Sequence, residues 1–173
     1  MKFLIFTYLL LFTAACTHKI YIVRHGEKST EPPKNPHLSN VGQQRAKNLI
    51  LELKSKHINQ IFSTNTFRTI ETATPLSNFI NVPIKLYAND TTKNLMQYIF
   101  TTKKNALIVG HSNTILNMLD TLQYTYIKNK VQDNDYDNLI VVKYKKYCAT
   151  CTKNFVVKNV VFKYYTNYIY TPL

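Results

Sequence analysis

Four short apolar runs, each followed by a segment with helical spacing, constrain this chain's fold more than any other feature. Residues 20–23, 58–63, 83–87 and 106–110 read as strands. Between them, Leu38, Val41, Ala46, Leu49, Ile50 and Leu53 recur at helical spacing, and residues 66–80, 93–102 and 113–124 read as helices. Repeated strand-helix alternation implies an α/β fold, a three-layer αβα sandwich with a mainly parallel sheet. The runs 139–144 and 155–165 are strand-like and separated by a turn, which predicts an antiparallel hairpin at one sheet edge.

With 45% hydrophobic and 13% aromatic residues, a chain of 173 residues can bury one core. Only 3 Gly and 6 Pro are present and no stretch resembles a linker, so residues 17–173 are read as a single domain. The net charge of +13 invites a nucleic-acid reading. The lysines are nevertheless scattered through a Lys-, Asn-, Ile- and Tyr-rich sequence without a basic helix or an aromatic-basic repeat, so no nucleic-acid partner is expected.

Residues 1–16, "MKFLIFTYLLLFTAAC", form a separate unit: a lysine, an apolar stretch over residues 3–12, then small residues ending at Cys16. That is the layout of an export signal, too short for a comfortable membrane span. "TAAC" is similar to a bacterial lipobox, with Thr13 standing where Leu is usual. The expectation is an exported bacterial protein, periplasmic or in the cell envelope, lipid-anchored to the membrane at Cys16; ordinary cleavage or an uncleaved anchor are the alternatives.

Three polar clusters fall at equivalent places in the alternation. Arg24 and His25 follow the first strand, Arg68 lies in the first turns of the helix after the second, and His111 directly follows the fourth. Parallel strands deliver their carboxyl ends to one sheet edge, so these two arginines and two histidines can converge despite their separation in sequence. Arginine presents a planar fork of donors matched to phosphate oxygens, and a neutral imidazole can attack phosphorus. A protonated second histidine would stabilise charge on the transferring group. The cluster therefore points to phosphoryl chemistry.

"VRHGE", "STNTFRTIETA", "VGHSNT" and the segment "LSNVGQQRA" together resemble the signature set of the histidine phosphatase superfamily, with its phosphoglycerate mutase-like fold. The resemblance runs over residues 20–142 and is nearest to small bacterial members, including the SixA type of phosphohistidine phosphatase. It implies a phosphatase that hydrolyses phosphomonoesters or phosphohistidine through a phosphohistidine intermediate, with no metal and no cofactor. Carried over by position, it makes His25 the nucleophile, with Arg24, Arg68 and His111 holding the phosphoryl group. Gly26 is read as allowing the backbone to come close to His25, with Gly110 doing the same for His111 and Ser112 capping the helix that follows. The family's general acid has no direct counterpart, because His111 is followed by Ser112. Asp90 is the candidate from the segment after the third strand, with Glu27 and Glu31 as alternatives. A small phosphorylated molecule or a phosphoprotein would suit a mouth without a long capping insertion. The alternative function is a phosphate-ligand binding module on the same fold without turnover.

Other features are given plainer readings. Asp133, Asp135 and Asp137 alternate as in a calcium loop but lack its sixth-position Gly and twelfth-position Glu, so a polar turn is expected. Cys148 and Cys151 form one CxxC pair without a neighbouring histidine, which favours a small disulfide over a zinc site, with free thiols the alternative. His37 lies in a loop that can approach the pocket mouth, His18 and His57 have less claim, and the aromatic tail is read as half-buried strand packing.

Overall fold

The structure is a computed structural model that describes residues 17–123, 131, 133, 135–146 and 155–164. The export segment with Cys16, and Cys148 and Cys151, lie outside the described residues. In chain order the elements are β1 (His18–Arg24), α1 (Asn40–Leu53), β2 (Gln60–Thr64), α2 (Phe67–Ile80), β3 (Ile84–Tyr87), a single 3-10 turn (Asn89–Thr91), α3 (Thr92–Thr102), β4 (Ala106–Gly110), α4 (Ser112–Thr121), β5 (Asn138–Lys146) and β6 (Phe155–Tyr164). They form one six-stranded sheet in the order β3-β2-β4-β1-β5-β6. The first four strands across the sheet are parallel. β5 runs antiparallel to β1 and β6 antiparallel to β5, so the terminal hairpin extends the sheet at the β1 side.

Side-chain alternation along the strands divides the core in two. Tyr21 and Val23 of β1, with Leu107 and Val109 of β4, join Leu49 and Leu53 of α1 and Ala73 and Leu76 of α2. Ile20, Ile22, Ala106 and Ile108 point the other way, onto Met96, Ile99 and Phe100 of α3 and Ile115, Met118 and Leu119 of α4. Period-two strands buried on both faces therefore carry near-continuous apolar runs, which is why the four sequence runs stand out. One expected member of the α1 core stripe departs from the pattern: Val41 is 61% exposed, while Leu38 is buried from its place just before the helix.

β1 and β4 are neighbours, with Arg24 opposite Gly110 at their carboxyl ends. The ladder continues one step further through a 3.0 Å bond from the His25 N–H to the Gly110 carbonyl. The helices that follow these two strands depart to opposite faces, α1 to one and α4 to the other. That divergence opens a crevice beyond the strand ends, the place where open α/β sheets bind ligands.

Candidate active site

The crevice is a cavity of about 530 Å³ lined by Arg24, His25, Arg68 and His111, together with Lys28, Thr66, Asn89, Ser112, Asn113, Asp133 and Tyr136. All four residues singled out for phosphoryl chemistry thus meet in one place. A volume in this range accommodates a substrate larger than phosphate.

His25 is buried, and both of its ring nitrogens have partners. Nδ1–H donates to the Gly26 carbonyl at 2.7 Å, which leaves Nε2 with its lone pair; Nε2 accepts from Arg68 Nε at 3.2 Å. The carbonyl that fixes the tautomer thus belongs to the very next residue. Burial pulls the His25 pKa down to about 3, with the Arg24, His111 and Arg68 charges adding to it against the opposing Gly26 hydrogen bond. The imidazole is therefore neutral and its outward nitrogen nucleophilic.

His111 stands with its ring centroid 5.2 Å from that of His25, edge to face. Its Nε2 lies 3.1 Å from the Thr64 hydroxyl, which in turn donates to Thr69, so the network assigns the proton to Nε2. Nδ1 then accepts from Arg68 Nη2 at 3.5 Å. Burial, and next the Arg68 and Arg24 charges, lower the His111 pKa to about 4. The second histidine is therefore neutral in this structure, where protonation was the expectation for a charge-stabilising partner. A phosphoryl dianion placed here would offset the Arg24 and Arg68 charges and so favour the imidazolium.

The threonines of "STNTFRTIETA" join these parts together. Thr72 Oγ1 accepts from the Gly26 N–H at 2.9 Å and donates to the Arg68 carbonyl at 2.7 Å, fastening the loop after β1 to the second turn of α2. Thr69 reaches the Thr64 carbonyl at 2.8 Å, tying α2 to the end of β2. Arg68 is consequently placed from two strand ends at once.

The glycines also have steric reasons elsewhere in the fold. A Cβ on Gly26 would lie 2.8 Å from the Gly42 carbonyl oxygen, and one on Gly42 would lie 2.2 Å from the Glu27 carbonyl oxygen. Gly26 therefore permits close approach to the first turn of α1. A Cβ on Gly110 would meet Thr114 Oγ1 at 2.4 Å and the Tyr87 hydroxyl at 2.6 Å. Ser112 is not the cap of α4 either: His111 holds the N-cap position, with its N–H donating to Thr114 Oγ1 and its carbonyl accepting from the same hydroxyl.

None of the three sequence candidates for the acid lines the cavity. Asp90 is exposed in the 3-10 turn, and it is its neighbour Asn89 that reaches the site. Glu27 is engaged by Arg45, through Nε at 2.9 Å and Nη2 at 2.5 Å, and Arg45 also pairs with Asp137. Burial pushes the Glu27 carboxyl up, but the Arg45 hydrogen bonds outweigh it and hold the carboxyl below its usual range. Glu31 is exposed in the loop, where its carbonyl accepts from Ser29 and His37. Among the described residues, the carboxylate that does line the cavity is Asp133.

Sequence reading also missed Tyr136, whose ring lies 4.4 Å from the Arg24 guanidinium carbon and 6.0 Å from the His25 ring. Its only signal was an aromatic within "QDNDYDNL". Asp135 makes the expected polar turn, accepting from the Asp137 N–H at 3.0 Å and the Asn138 amide at 2.6 Å. His37 pairs with Glu71 and stacks on Phe67 at 4.4 Å, away from the cavity lining. Among the described residues there is no group of three or more His, Cys, Asp or Glu suited to a metal, and no helix long and apolar enough to cross a membrane.

Residues 20–89, which include Arg24, His25 and Arg68, match the model of the histidine phosphatase superfamily (branch 1). Solved structures of phosphatases share the fold. A mycobacterial glucosyl-3-phosphoglycerate phosphatase aligns with a TM-score of 0.60 at 11% identity, over 74% of this chain and 91% of its own. The SixA protein of Agrobacterium tumefaciens, assigned as a phosphohistidine phosphatase, aligns at 0.57 and 13% identity, over 83% and 97%. A phosphoserine phosphatase from Entamoeba histolytica, in complex with 3-phosphoglyceric acid, gives 0.54 and 14%, over 72% and 90%. No curated protein is matched at the level of sequence. Residues 20–89 are thus similar to the histidine phosphatase superfamily model, and most of the chain's length has the fold of these phosphatases.

Proposed function

We propose that this chain is a phosphatase that works through a phosphohistidine at His25. One observation carries the reading: an unprotonated Nε2, set by the Nδ1–H bond to Gly26, lies in a cavity flanked by Arg24, Arg68 and His111. Nε2 attacks phosphorus and the ester oxygen departs; water then attacks the phosphohistidine, and the electron pair of the N–P bond returns to Nε2. Arg24 and Arg68 hold the phosphoryl oxygens, and His111, protonated once the dianion is bound, stabilises the charge that builds on them. Substrates are phosphomonoesters or phosphohistidine, carried by a small molecule or a protein.

The test is single-turnover labelling of the full chain with a labelled activated phosphomonoester, quenched in alkali. The expected label is acid-labile and alkali-stable, is absent from His25→Ala, and is accompanied by turnover in excess substrate. A chain that binds phosphate analogues without taking label or releasing phosphate would instead be a binding module.

The proposal extends to location, on the support of residues 1–16 alone: an exported protein of the cell envelope, lipidated at Cys16. Expression with labelled palmitate, compared with Cys16→Ser, tests it; equal labelling of the two would overturn it.

A further inference from the structure

The reaction proposed above needs a group to give the departing oxygen a proton and to take one from the attacking water. We infer that Asp133, carried by the segment that leads into β5, is that proton-transfer residue. The inference rests on the phosphatase reading of His25 and deepens it.

Three observations point to Asp133. It is the carboxylate that lines the cavity among the described residues, whereas Asp90, Glu27 and Glu31 do not line it. It is also bound to the phosphate-handling machinery: Arg24 donates from Nη1 to its main-chain carbonyl, and Nη2 lies 3.9 Å from Oδ1. Third, its carboxyl is tuned by the site. The Arg24 guanidinium beside it holds it below the usual range, with Lys28 contributing in the same direction.

An anion held in this way becomes an acid when substrate arrives. The incoming phosphoryl group takes the Arg24 donors and sets its own negative charge beside the carboxylate, and both changes raise the proton affinity of Asp133. In the first step the Nε2–P bond forms, the P–O bond to the leaving group breaks, and the Asp133 proton goes to the departing oxygen. In the second step a water oxygen bonds to phosphorus while its proton returns to Asp133 and the N–P electron pair returns to Nε2. Asp133 takes its first proton from solvent as the substrate binds and returns one to solvent when phosphate leaves, so the chain ends each cycle in its starting protonation state. The arrangement has a consequence for substrate choice: phosphohistidine and activated esters, which depart with little help, depend least on this transfer.

The decisive measurement compares the full chain with Asp133→Asn and Asp90→Asn on an alkyl phosphate and on 2,4-dinitrophenyl phosphate. Asp133→Asn is expected to lower kcat/KM on the alkyl ester by about 10²-fold or more, and on the dinitrophenyl ester by less than tenfold. Asp133→Glu is expected to recover part of the alkyl-ester activity. Equal loss on both substrates would mean that Asp133 only positions Arg24, and would overturn the inference. The same leaving-group dependence appearing in Asp90→Asn instead would also overturn it. A chain that releases phosphate from neither ester overturns the phosphatase reading itself, and this inference with it.

Discussion

Arg68 donates from Nε to the Nε2 of His25 at 3.2 Å, so the nucleophilic nitrogen is covered by the guanidinium that the proposed reaction would use to draw in the phosphoryl group. The same guanidinium reaches His111 through Nη2. Arg68 thus spans both histidines from α2 while the Thr72 hydroxyl accepts the neighbouring loop's N–H.

Replacing Arg68 by Lys keeps the charge but removes the fork. The expected result is a loss of about 10²- to 10³-fold in kcat/KM, comparable to removing one preorganised donor elsewhere. Steady-state kinetics on an aryl phosphate measures it. Stability is expected to change little, because Thr72 and Thr69 tie α2 to the loop after β1 and to β2 independently of the guanidinium.

The histidines give stability a definite pH dependence. Their folded pKa values, about 3 for His25 and about 4 for His111, lie below the value of roughly 6.5 expected in an unfolded chain. Between those limits the unfolded state binds more protons, so stability is fully present above about pH 6.5 and is lost as pH falls toward 3. Urea unfolding at pH 7 and pH 5 is expected to show a lower midpoint at pH 5, with a smaller drop in His111→Asn.

Phosphate binding is expected to take up protons, because the bound dianion favours the imidazolium of His111. Calorimetric titration with inorganic phosphate near pH 7, in buffers of different ionisation heat, reads this uptake directly. A heat of binding that does not depend on buffer would show that His111 remains neutral in the complex.

The paired glycines predict an order of damage. Gly42→Ala places a Cβ 2.2 Å from the Glu27 carbonyl oxygen, and Gly26→Ala places one 2.8 Å from the Gly42 carbonyl oxygen. In both cases the obstacle is backbone, so each substitution is expected to cost about 1–3 kcal/mol, with Gly42→Ala the worse of the two. Chemical denaturation gives the ranking.

Tyr136 supports Arg24 from the ring face at 4.4 Å. Removing the ring in Tyr136→Leu is expected to weaken phosphate binding by the ~0.5–2 kcal/mol of such a contact, seen as a rise in KM with a smaller change in kcat. Tyr136→Phe, which keeps the ring face, is expected to retain most of the affinity.

The parallel part of the fold was legible because strands buried on both faces must be apolar throughout and the helices between them must repeat at their own period. Arg24, His25, Arg68 and His111 were legible for a related reason: each follows a strand whose carboxyl end has only one edge to reach. Asp133 and Tyr136 were not, since they enter from a polar segment whose position depends on β5 returning antiparallel to β1, and no local pattern encodes that return. Asp90 and Asn89 differ by one place in a 3-10 turn, and which of them reaches the cavity is decided by the turn's rotation and not by composition. Gly26 and Gly42 are sixteen residues apart in sequence, so neither announces that the other is the reason for it.

β4 is inserted between β1 and β2, although it is the last of the parallel strands along the chain. Until it arrives, the strand ends that bear Arg24 and His25 on one side and precede Arg68 on the other have no common neighbour, and His111 has not been delivered. A partly folded chain with only its first three strands in place is therefore expected to lack the proposed phosphate site. Any phosphate-dependent rise in Tm would report the closure of the whole parallel sheet, so the anion serves as a probe of topology as well as a ligand.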